Sequence, residues 1–167
     1  MSRGPVLVAS LLSAALGMGC RSAEVRPTAS PLAGTWRLEA ADKLLPDGAR
    51  VRDYGAHPDG RMMIDDQGRY VLVIFKAERP NFASPDKALG TDAEFRAAEL
   101  GASCHHGTIQ VDLDAKTLTF LIEDANFPNW RGQKRLSPFE LQGDVLSYRV
   151  PPRSDGSVPI SVWRRER

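Results

Sequence analysis

The stretch "GTIQVDLDAKTLTFLIE", residues 107–123, decides the fold class. Ile109, Val111 and Leu113 fall on one face, and Thr108, Gln110 and Asp112 on the other. A period of two is the signature of a strand with one buried side. The apolar return to Glu123 makes the stretch a β-hairpin.

Outward from this hairpin the same grammar repeats. "GTWRLEA" (34–40) opens a series of short strands, and turn signals follow at "LPDG" (45–48), "HPDG" (57–60) and "DDQG" (65–68). "RMMID" and "RYVLVIFKA" flank the last of these, which predicts a hairpin over residues 61–76. "FELQGDVLSYRV" (139–150) is a further hairpin around Gln142, Gly143 and Asp144. "PPRSDGSVPISVW" (151–163) closes the set, with a turn at Asp155 and Gly156. Short strands at this spacing predict an all-β barrel or sandwich. One segment departs from the pattern. In "GTDAEFRAAELG", Thr91 followed by Glu94 makes a capping box, and Gly101 suits a C-terminal end. A short helix over 92–100 is expected, with Phe95 and Ala98 as its inner face. Seven to nine antiparallel strands and one helix fit a small closed barrel of about eight strands, a size that holds one small ligand.

Length and composition agree. The chain has 167 residues, 26% of them charged and 42% hydrophobic, with a formal net charge of +1. This is the range of one soluble domain. There is no basic stripe to suit nucleic acid, and after residue 20 no apolar run long enough to span a bilayer. The first nineteen residues, "MSRGPVLVASLLSAALGMG", carry one early cation, Arg3, then apolar and small residues without an acid. They read as an export signal. Its removal takes away one base and no acid, so the mature chain is neutral. Cys20 follows in "LGMGC", which resembles the bacterial lipobox in Gly19 and Cys20, with Leu16 one place further upstream than usual. The domains are therefore expected as a signal peptide over 1–19, a flexible tether over 20–32 with lipid on Cys20, and a barrel over 33–167. The expected location is the periplasm or, as a lipoprotein, the outer membrane.

The ordered pieces "GTWRLEA", "YGAHPDGRMMIDDQGRY", "ERPNFAS", the acidic short helix, "GTIQVD", "NFPNWRGQKR", "LQGDVLSY" and "VWRRER" resemble the bacterial lipocalin-like domain family across nearly all of residues 33–166. The resemblance implies a lipocalin-like barrel and no particular reaction. The Gly34–Trp36 piece is also similar to the first-strand G-x-W of lipocalins. There the tryptophan closes one barrel end under a late arginine, a part open here to Arg164 or Arg165.

Cys104, His105 and His106 bear metal-ligating side chains in a row. Side chains alternate along a strand. If the strand runs through without a bulge, His105 points inward with Ile109 and His106 points outward with Thr108. Adjacent histidines then cannot grip one ion, and a structural zinc needs three or four ligands. No metal and no cofactor are expected. The same divergence weakens Cys104–His105 as a nucleophile–base pair. No G-x-S-x-G, phosphate loop or dinucleotide fingerprint is present.

The residues placed in a ligand site are Tyr70, Leu72 and Ile74 on one strand face, Arg79 and Phe82 in "ERPNFAS", His105, Trp130 and Arg135 in "NWRGQKR", and Tyr148. An inward arginine would need an anion, which a ligand carboxylate supplies. The helix and the loop before it are expected near one barrel end as a lid or plug. The reading is a monomeric envelope protein that binds a small hydrophobic or amphipathic molecule non-covalently. Two alternatives stay open: an isomerase, cyclase or hydrolase acting on a small apolar metabolite in the same cavity, and an interaction module with a filled core. Two convergent titratable groups in a cavity favour the enzyme; no cavity favours the module.

Overall fold

The structure, a computed structural model, describes Met1 and residues 29–167. Arg3 to Gly19, Cys20 and the tether as far as residue 28 lie outside the described residues. Nine strands form one antiparallel sheet: β1 (Gly34–Leu44), β2 (Arg50–Val51), β3 (Asp59–Ile64), β4 (Arg69–Phe75), β5 (Ala102–Asp112), β6 (Thr117–Ala125), β7 (Lys134–Gln142), β8 (Val145–Arg149) and β9 (Val158–Arg165). β1 pairs with β3 at its start and with β9 along most of its length, so eight strands close into a barrel. The two-residue β2 stays as an appendage on the end of β1. The all-β lipocalin-like class is as the sequence predicts.

The inward faces follow the alternation. Gly60, Met62 and Ile64 are buried on β3, Tyr70, Leu72 and Ile74 on β4, and Leu118, Phe120 and Ile122 on β6. Two bulges shift the phase. On β1 the register slips between Leu38 and Ala40. Trp36 and Leu38 point inward before the slip, and Ala41 after it. On β6 the slip lies opposite the His106–Gly107 step, so β5 runs on unbroken while its partner carries the extra residue.

One barrel end is solid. Leu32, Trp36, Met62, Leu118, Leu146 and Trp163 are all 0% exposed. Arg165, not Arg164, lies over the Trp36 ring at 4.2 Å. It donates to the carbonyls of Ala33 and Pro31, while the Trp36 indole donates to Leu32 O at 2.9 Å. Arg164 faces outward to Glu39. Leu32, expected as the last residue of the tether, is thus part of the floor.

Three local expectations differ from the structure. "HPDG" is not a turn: Asp59 and Gly60 already pair in β3, opposite Phe75 and Ile74. A Cβ at Gly60 would come within 2.7 Å of Val73 O and 3.0 Å of Leu38, so close packing requires the glycine. Leu113 leaves the inner face because β5 ends at Asp112, and it is exposed. Helix α1 (Asp92–Leu100) has the predicted bounds and capping box but buries no residue. Phe95, read as an inner-face residue, packs on Phe82 with ring centroids 5.3 Å apart and remains 38% exposed.

Candidate ligand site

The other barrel end is open. The ends of β4, β6 and β8 and the starts of β5, β7 and β9 surround a half-open cavity of about 450 Å³. Its apolar wall comes from Leu72, Ile74, Phe120, Trp130, Tyr148 and Ile160. Pro151, Pro152 and Pro159 form part of its rim. A cavity of this size with a mainly apolar wall is the usual form of a small-molecule site.

His105 is the centre of an aromatic cluster in this wall. It lies opposite Leu72 in the β4–β5 ladder and points inward, as the unbroken strand requires. Its Nδ1 is 2.7 Å from the Tyr70 hydroxyl. Tyr70, Phe120 and Trp130 meet the imidazole edge to face, with centroids 5.4, 6.1 and 6.1 Å away. Phe120 links this cluster to Tyr148 at 5.2 Å. Such pairs hold rings in fixed orientations.

Burial sets the protonation of these groups. It pushes His105 down to about 3, helped by the positive charge of Arg135 and by His106. It pushes the Tyr70 phenol well above its ordinary value and the Tyr148 phenol up to about 12. All three are neutral at pH 7. Arg135 is the charged exception, its guanidinium stacked on Trp130 at 4.3 Å. Burial draws it below its ordinary value, yet it stays cationic at neutral pH. The carboxylates at the rim are already matched. Asp42 pairs with Arg50 at 2.8 Å, and Asp53 with Lys43 at 3.2 Å and Arg153 at 2.7 Å. Burial alone would raise the Asp53 carboxyl, but these two cations outweigh it and hold it below the usual range.

Of the residues the sequence singled out, Leu72, Ile74, His105, Trp130, Arg135 and Tyr148 line the cavity. Tyr70 stands behind His105 as its hydrogen-bond partner. Arg79 and Phe82 do not join them: Arg79 is exposed and covers Phe75 at 4.5 Å, and Phe82 packs against the helix. The helix lies beside this barrel end, against the start of β5, with Asn126 donating to Glu99 at 2.9 Å, but no residue from 77 to 101 lines the cavity. Cys104 faces away from His105 and pairs with Val73, and burial raises its thiol. His106 lies on the outer face, 3.6 Å from Glu123. Among the described residues no three of His, Cys, Asp and Glu gather around a point that would hold an ion.

The sequence reading missed Ser137, Ser161, Asp53, Tyr54 and Arg153 in the lining. Ser137 is two places after Arg135 and shares its face, a signal that strand alternation carried. Ser161 lies on β9, two places before the buried Trp163, and carries the same signal. Asp53, Tyr54 and Arg153 arrive through the 52–58 and 150–157 loops, whose course has no period to read.

A closed antiparallel barrel, solid at a Trp–Arg end and open at the other, defines a lipocalin-type binding scaffold. The chain matches the family model of the lipocalin-like domain over residues 33–165. It belongs to that family. Comparison with curated proteins and with solved structures gives no match.

Proposed function

We propose that this protein binds a small apolar or amphipathic molecule non-covalently in the open end of its barrel. The half-open cavity of about 450 Å³ with its aromatic wall is the observation that carries this reading. A filled core, which an interaction module would have, does not fit it. The contact between Tyr70 and His105 is the feature that favours an enzyme, because two titratable groups converge there. Their protonation weighs against that reading. An efficient general base has a pKa near the working pH, whereas His105 is held at about 3 and Tyr70 far on the other side.

The test uses N-phenyl-1-naphthylamine, an uncharged probe that fluoresces in apolar surroundings. The folded protein should bind it saturably, and Ser103→Phe, which fills the mouth beside Ile74, should weaken it at least about tenfold. Folded wild-type protein that leaves the probe dark, or undiminished binding in the variant, contradicts the proposal.

We place this binding in the cell envelope, on the strength of the apolar leader and Cys20. In the native host the Cys20→Ala protein should move from the membrane fraction to the soluble envelope fraction. A wild-type protein that keeps Met1 and stays in the cytoplasm contradicts this.

A further inference from the structure

The cavity wall carries hydrogen-bond donors that the protein itself leaves without acceptors. The first is Arg135. It faces the cavity from β7 with the Trp130 ring against it, and among the described residues no carboxylate lies within ion-pair distance. The acids that also line the cavity, Asp42 and Asp53, have their own cations. The second is the Tyr70–His105 pair. Both groups are neutral, so together they own two polar hydrogens. One lies in the 2.7 Å contact between them. With the phenol donating to Nδ1, the other is on Nε2 of the imidazole that lines the cavity, where no acceptor meets it among the described residues. The third is Ser137, two residues further along the inner face of β7. Its hydroxyl is buried, the residue being 1% exposed, and has no partner. A buried donor without an acceptor is unfavourable by about the cost of desolvating it, and a half-buried guanidinium without a counter-ion is open to an anion. Three such groups on one wall mark the place of an absent acceptor.

We propose that the cavity recognises an organic carboxylate, with the head group against Arg135 and His105 and the apolar body along Phe120, Leu72 and Ile160. This rests on the barrel being a binding site. A planar guanidinium offers two parallel N–H groups that match the two carboxylate oxygens. The Trp130 ring covers one face of the guanidinium and leaves its edge free for that fork. One inward cation also suits a monoanion. A dianionic phosphate would bring a second charge into a mainly apolar wall, where the other lining arginine, Arg153, is already paired with Asp53.

The experiment is competition against bound N-phenyl-1-naphthylamine by octanoate, octan-1-ol and octylamine at pH 7.5, three eight-carbon probes with different heads. Wild-type protein should release the probe to octanoate at a concentration about tenfold or more below that needed for octan-1-ol, because the charged head gains a charge-assisted bond. Octylamine should be the weakest of the three. Arg135→Gln should bring octanoate down to the level of octan-1-ol. Equal competition by octanoate and octan-1-ol in the wild type overturns the carboxylate assignment while leaving the cavity a binding site. Absence of probe binding at the outset is the separate failure of that broader reading. The wild-type comparison stands even if the variant does not fold.

Discussion

His105 carries a charge in the folded chain only below about pH 3, because burial excludes the imidazolium. An unfolded histidine titrates near 6.5. Between those values the unfolded chain binds a proton that the folded chain refuses, so stability falls as the pH is lowered through this window. The paired acids Asp53, Asp65 and Asp124 add their own loss at lower pH, since their folded values lie below the ordinary carboxylate range. The interval from pH 6.5 to 5 therefore lies above these losses, and substitution of His105 separates it from the exposed His57 and His106. Urea midpoints across it should fall for the wild type and flatten in His105→Gln, which keeps a polar partner for Tyr70. An unchanged slope in the variant would mean that the imidazole is not held neutral. At the opposite end Trp36 is fully buried, stacked on Arg165 and hydrogen-bonded to Leu32. Trp36→Ala should cost about 3–5 kcal/mol, measured by thermal unfolding. An unchanged melting temperature would contradict the closed floor.

Among the elements, β5 shows what alternation alone establishes and what it does not. The opposite faces of His105 and His106 follow from strand geometry, and that inference held because the bulge falls on β6. The length of β5 was hidden. It begins at Ala102, five residues before the glycine that opens its periodic part. Gly107 has φ +155° and lies over Leu121, whose carbonyl a Cβ would strike. A glycine inside a strand often marks such a close approach. Gly107→Ala should destabilise the barrel by more than about 1 kcal/mol, read from denaturant midpoints; a neutral substitution would contradict the close approach to Leu121. The helix illustrates the reverse case. Its capping box was legible because caps are local chemistry. Its packing was not, because Phe95 met Phe82 on the surface and not the barrel. Thr91→Ala should remove about 1 kcal/mol of local helix stability and raise amide exchange over 92–100 while leaving probe affinity unchanged. A matching fall in affinity would restore a gating role to the helix.

For the whole molecule, closure gives the two ends different tasks. β1 joins β9, the floor is sealed by Trp36 and Arg165, and the loops at the far end leave the cavity open. Residues on periodic strands, such as Leu72, Ile74 and Tyr148, were readable as lining from the sequence. Arg135 was readable from its segment, yet its lack of a carboxylate is a property of the assembled barrel. So is the contact between Tyr70 and His105, 35 residues apart in the chain. The three tryptophans report on the two ends separately: Trp36 and Trp163 are buried, while Trp130 stands in the cavity wall against Arg135 and His105. The most direct measurement follows their indole N–H resonances by NMR during titration with octanoate. Binding in the open end predicts a saturable shift of the Trp130 signal with the Trp36 signal unmoved. A shift at Trp36 without one at Trp130, or no shift at either, would contradict the account.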